Sequence, residues 1–267
     1  MILNEMIKNT SEPQTIDTLV ESLKKLGLYQ GDTVIVHASL SKIGYVIGGI
    51  ETLFKAILKV VGALGTIIVP TQTMDNSDPK NWQNPAVPES WHDKIRELIP
   101  AYDKKTTPTR SMGKFAEYIR NYPGTERSSH PQVSFAAFGF HAKKIVKTHV
   151  LTPKFGMQTP LGALYNLDDV KILMIGTDAT TNTSLHLAEA LSTKYKVKET
   201  SGCAMNIDNK RQWVTYEDKA YDSDQFVEIE TEFLKKHKVN TITLGLAETK
   251  LYQFKKIVDF AVGYLDK

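Results

Sequence analysis

Apolar residues recur with two different periods along this chain, and the switches between periods outline its elements. Ile16, Leu19, Val20, Leu23 and Leu26 share one face of a helix that stops at Gly27. The next run, 32–37, contains Thr33-Val-Ile-Val36, all β-branched, and predicts a buried strand. Gly44, Gly48 and Gly49 mark a flexible loop, and 50–61 returns to helical spacing before Gly62. Thr66-Ile-Ile-Val-Pro70 reads as a second short buried strand. Strand, helix and strand at this spacing predict a βαβ unit and an α/β sheet. Further on, 112–120 has a helical pattern. Residues 135–140 fit a strand, or a turn into a helix over 142–148. A third buried strand covers 170–175 and ends at Gly176. The tail alternates again, with a strand over 241–245 and an amphipathic helix over 252–265.

Two stretches depart from the pattern. Residues 1–14 are polar and are expected to be loosely docked. Residues 76–108 hold five prolines and two tryptophans, with little periodicity outside a short helix over 91–98. Such a long irregular segment is more often functional than idle, which predicts an insertion near the active site. There is no internal repeat and no evident linker, so the expectation is one domain over 1–267.

Composition narrows the class of protein. The net charge is only +3 and the lysines are scattered, so no nucleic-acid partner is expected. No run approaches the ~18 apolar residues of a membrane span, and no secretory leader pattern opens the chain. Cys203 is the only cysteine, which rules out an intrachain disulfide and suits a reducing compartment. The expectation is a cytoplasmic protein without membrane attachment.

The chemistry concentrates in Thr180-Thr-Asn-Thr-Ser-Leu-His-Leu-Ala-Glu189, which follows the third strand. His186 and Glu189 are three apart in an otherwise apolar helical stretch, so imidazole and carboxylate are neighbours. Thr183 lies one turn earlier. A buried imidazole held by a carboxylate equips a general base. It also fits a self-satisfied scaffold pair, or two ligands of a metal-dependent hydrolase with His37 or His130 as a third. The segment sits past a strand's carboxyl end, where α/β sheets bind ligands. After the first strand, His37-Ala-Ser-Leu-Ser-Lys-Ile-Gly44 offers hydroxyls and backbone N–H groups suited to a phosphate or an amide chain. Arg110 and Arg127 could each clamp an anion or serve as scaffold. Ser128 and His130 could bond a ligand or each other. Carboxylates for a cationic ligand are Asp75, Asp78, Glu89 and Asp93, with Trp82 as an aromatic surface. Asp178 and the acidic run 217–232 are further candidates, although such a run is more often a solvated face.

These segments, in this order, resemble the aminoglycoside 3-N-acetyltransferases, an antibiotic acetyltransferase family distinct from the GNAT fold. The pieces are Val36-His-Ala-Ser-Leu-Ser-Lys-Ile-Gly44 with Gly48-Gly49, Val69-Pro-Thr71, and Asp78-Pro-Lys-Asn-Trp-Gln-Asn-Pro85. They continue with Val87-Pro-Glu-Ser-Trp91, Thr107-Pro-Thr-Arg-Ser-Met-Gly113 and Arg127-Ser-Ser-His-Pro131. Thr159-Pro-Leu-Gly162 and Asn182-Thr-Ser-Leu-His-Leu-Ala-Glu189 complete the set. The two insertion motifs look most like the Bacillus-type branch. Ala38 and Thr159 depart from the commoner Ser.

The resemblance implies a three-layer α/β/α fold with a mixed sheet, acetyl-CoA as acetyl donor and no metal. It implies His186 as base, Glu189 as its orienting partner and Thr183 near the oxyanion. The donor would be held by Ser39, Leu40, Ser41, Ile43, Gly44, Val46, Arg110, Ser111, Met112 and Gly113. Asp75, Asp78, Trp82, Glu89 and Asp178 are the candidates for a small-molecule amine, and a homodimer is compatible with the sequence.

Overall fold

The computed structural model describes Leu3–Lys267. The strands are β1 (Thr33–Ala38), β2 (Thr66–Pro70), β3 (Glu126–Arg127), β4 (Phe135–Gly139), β5 (Lys171–Ile175), β6 (Lys198–Ile207), β7 (Lys210–Lys219), β8 (Asn240–Leu244) and β9 (Ala247–Gln253). The first helices are α1 (Leu3–Asn9), α2 (Ile16–Leu26), α3 (Leu40–Ile43), α4 (Gly49–Val61), α5 (His92–Leu98) and α6 (Gly113–Asn121). The later ones are α7 (Ala142–Val146), α8 (Pro160–Tyr165), α9 (Leu185–Leu191), α10 (Phe226–Lys236) and α11 (Phe254–Leu265).

Among the described residues one seven-stranded sheet runs β3-β4-β2-β1-β5-β9-β8, and β6 and β7 form a separate hairpin. β1 is parallel to both β2 and β5, while the outer strands pair antiparallel, so the sheet is mixed. The three parallel strands are those whose β-branched and aliphatic runs predicted burial on both faces. Side chains alternate across them. Val34, Val36, Leu173 and Ile175 enter a core with α2, α4 and α6. Ile35, Ile172 and Met174 enter the opposite core with α7 to α11. The result is the expected three-layer α/β/α domain.

Local chemistry fixes several boundaries. α2 starts at a Thr15–Thr18 capping box and ends at Gly27, whose φ of 102° suits glycine. The segment 1–14 was expected to be loosely docked; Met1 and Ile2 of it lie outside the described residues. α1 occupies much of it, Thr10 Oγ1 accepts from Tyr45 N–H, and Gln14 bridges to Val46. The expected helix over 252–265 begins at Phe254, because β9 pairs with β5 through Gln253. The β6–β7 hairpin had no counterpart in the sequence expectations. It turns at Asp208-Asn209, both at positive φ, the signature of a two-residue hairpin turn.

Residues 76–108 pack against that hairpin. Asn76 bonds both backbone groups of Ala204, at 2.9 and 2.8 Å. Arg211 reaches back to the carbonyls of Arg96 and Ile99.

Candidate active site

The carboxyl ends of β1 and β5 open into a cavity of about 730 Å³. Its wall carries His37, Ser39, Leu40 and Ser41 from the end of β1, and Ser111, Met112 and Gly113 at the start of α6. After β5 come Thr177, Thr180, Thr181, Thr183 and His186. Parallel neighbours β1 and β5 end side by side, and Ser39 N–H donates to the Ile175 carbonyl at 2.9 Å. That juxtaposition brings the hydroxyl-rich loop to face α9.

α9 is fixed from three sides. Leu185, Leu187 and Ala188 are buried in the core. Asn182 Oδ1 accepts from Ser184 N–H at the entry to the helix. At the other end Lys219 Nζ donates to the carbonyls of Glu189, Ala190 and Ser192 at 2.7, 3.1 and 2.9 Å. A cation there satisfies orphan carbonyls and complements the helix dipole.

His186 Nδ1 and Glu189 Oε2 are 2.5 Å apart. The other carboxylate oxygen of Glu189 accepts from Asp222 N–H at 3.2 Å. Glu189 is only 2% exposed, and burial pushes its carboxyl above the ordinary range while the His186 hydrogen bond opposes that rise. Phe155 stacks on the imidazole at 4.6 Å and 18°, Tyr221 meets it edge-on, and Phe226 packs at 4.9 Å. With Nδ1 engaged, Nε2 is the nitrogen left for chemistry. Thr183 is buried on the cavity wall, and its carbonyl accepts from His186 N–H at 3.2 Å.

The other expected site residues divide. Ser39, Leu40, Ser41, Ser111, Met112 and Gly113 line the cavity. Ile43 and Val46 point into the hydrophobic core, and Gly44 turns the chain at φ 90° where a Cβ would meet Thr10 Oγ1 at 2.7 Å. Arg110 forms an exposed pair with Asp75 at 3.3 Å. Asp78 is buried and held by Arg96 at 2.8 Å and by Lys80 N–H. Trp82 donates to Ser77, Glu89 is exposed on a single turn, and Asp178 caps Thr180 N–H. Among the described residues no Asp or Glu is on the cavity wall, and none of 76–108 reaches it.

Arg127 is buried, donating to Thr71, Ser134 and Thr107. Ser128 bonds His149 rather than His130, whose nitrogens meet the backbone of Gln132, Val133 and Leu151. Burial pulls His149 down to about 4 and His130 well below its ordinary value, which favours the neutral rings. Among the described residues no three His, Cys, Asp or Glu side chains are grouped to hold a metal ion. Phe155, Tyr221 and Lys219 were missed as site residues. They come from distant segments without a motif, and only the fold brings Phe155 and Tyr221 to His186 and Lys219 to the end of α9.

A sheet-edge cavity between a hydroxyl-rich loop and an imidazole–carboxylate pair is the layout of a group-transfer enzyme. The chain belongs to the aminoglycoside 3-N-acetyltransferase family, whose model matches residues 35–266, and is an acyltransferase. It is 40% identical over 260 residues to the SPbeta prophage-derived aminoglycoside N(3')-acetyltransferase-like protein YokD of Bacillus subtilis (strain 168), covering 97% of this chain and 95% of that one. The crystal structure of YokD superposes with a TM-score of 0.95 at 39% identity, over 98% of this chain and 96% of the other. Aminoglycoside N(3)-acetyltransferase IX of Micromonospora chalcea is 30% identical over 275 residues, 98% of this chain and 96% of its own. The structure of AAC-IIIb binary with CoASH has a TM-score of 0.83 at 29% identity, over 96% of this chain and 97% of that one.

Proposed function

We infer that the protein transfers acetyl from acetyl-CoA directly to an amine, the 3-amino group of a 2-deoxystreptamine aminoglycoside, and that it works in the cytoplasm. The observation that carries this reading is the buried His186–Glu189 pair on the cavity wall. The solved structure of the relative AAC-IIIb with CoASH supports the donor.

The cavity suits that donor. Its volume lies within the roughly 300–1,000 Å³ of small-molecule sites, and two buried polar atoms on its wall, His37 Nε2 and Thr177 Oγ1, have no partner among the described residues. Ser39, Ser41, Ser111 and the backbone around Gly113 hold the pantetheine arm and phosphates. His186 Nε2 takes the proton from the acceptor amine as its nitrogen attacks the thioester carbonyl. Glu189 holds the ring orientation and stabilises the imidazolium that forms. The carbon–nitrogen bond forms, the carbon–sulfur bond breaks, and the proton on His186 passes to the departing thiolate. Thr183, on the same cavity wall, donates to the developing oxyanion in this reading.

One observation favours a second acceptor. With no carboxylate on the cavity wall and Lys114 there, a less cationic amine of the same reaction class also fits. A thiol-release assay with acetyl-CoA over aminoglycosides and monoamines separates the two. NMR of the product locates the new amide. Release with 2-deoxystreptamine compounds and acetylation at the 3-amino group is expected. Release confined to monoamines would select the second acceptor, and none with any amine would refute acetyl transfer.

A further inference from the structure

His37 is the last inward-facing side chain of β1. It shares the sheet face of Ile35, and its register partner on β5 is Met174. That face is packed against the layer containing α9, so His37 and His186 lie on the same side of the sheet and on one cavity wall. His37 is 6% exposed, and its Nε2 is buried without a hydrogen-bond partner among the described residues. Buried polar atoms are nearly always paired, and an orphan imidazole nitrogen at a cavity wall marks a place reserved for a ligand atom. Burial also pulls this imidazole down to about 3, so the ring is neutral at physiological pH and carries one N–H. A group so reluctant to accept a proton is a poor base and a suitable neutral donor.

We propose that His37 donates its Nε2–H to the acetyl carbonyl oxygen of the donor thioester, a hydrogen bond that strengthens as the oxygen gains negative charge. This rests on the acetyl-transfer reading. His37 keeps its proton throughout: the amine proton goes to His186 and then to the thiolate. The two histidines divide the work by environment. His186 is paired with a carboxylate and accepts a proton, whereas His37, in the absence of any charged partner, only donates a hydrogen bond.

The test uses His37→Phe, which removes the donor and keeps a ring, and His37→Gln, which restores an amide N–H. For His37→Phe, kcat should fall about 10²-fold, as for loss of one oxyanion donor. KM for acetyl-CoA should stay within about threefold, since the bond matters chiefly in the transition state. The melting temperature should not fall, and His37→Gln should recover part of the rate. A readout independent of turnover is nitrogen NMR of histidine-labelled wild-type protein. Acetonyl-CoA, a non-transferable ketone analogue, should shift His37 Nε2, and CoA, which lacks that carbonyl, should not. Unchanged kcat in His37→Phe, a loss confined to KM, or no selective shift with acetonyl-CoA would overturn the proposal. A wild type that acetylates nothing yet shows the selective shift would refute acetyl transfer while leaving the His37 contact supported.

Discussion

Glu189, buried beside His186, fixes the orientation of that imidazole through its Nδ1 contact. Nearly removed from water, the carboxylate meets His186 Nδ1 and accepts from Asp222 N–H. Glu189→Gln keeps a hydrogen-bonding group but removes the charge that supports the imidazolium. We expect kcat to drop about 10²-fold, within the usual range for general-base catalysis, with little change in KM, measured by steady-state thiol release. This pair was legible in the sequence because three-residue spacing on a helix is local geometry. The charge state of the candidate carboxylates was not. Spacing alone does not show that Arg96 holds Asp78 or that Arg110 pairs with Asp75. Which partner neutralises a charge is decided by the fold, and no spacing encodes it.

At the scale of elements, α9 is a two-turn helix whose C-terminus depends on a lysine from the distant hairpin. Lys219→Met would leave three carbonyls without their cation. Loss of these partly buried bonds should cost about 1–3 kcal/mol, read as a lower urea midpoint. It should also lower kcat, because Glu189 is one of the residues whose carbonyl is released. Unchanged stability would mean that water replaces the ammonium. The parallel strands β1, β2 and β5 were legible because burial on both faces leaves unbroken apolar runs. The β6–β7 hairpin was not, since its strands are half exposed and broken by charged residues such as Lys198, Glu199, Arg211 and Glu217. Its Asp208-Asn209 turn was a usable signal. β9 escaped because its ladder with β5 and β8 overrides the helical spacing that follows.

Across the whole molecule, three histidines are buried neutral: His37 at about 3, His149 at about 4, and His130 well below its ordinary value. In the unfolded chain each titrates near about 6.5, so between those values the unfolded state binds more protons. Their contribution to stability is therefore fully present above pH 6.5 and is lost as the pH falls toward 4. Melting temperature measured across that window should drop steeply, and His149→Phe should flatten the slope; a flat wild-type profile would contradict the burial assigned to them. The two cores on either face of the sheet hold these groups and the cavity in register, so activity and acid stability share one scaffold. The most direct test of the account is turnover of His186→Ala against wild type with a 2-deoxystreptamine aminoglycoside, alongside calorimetric CoA affinity for both proteins. A kcat loss of about 10³-fold or more is expected, with CoA affinity retained. Near wild-type turnover in His186→Ala would contradict it.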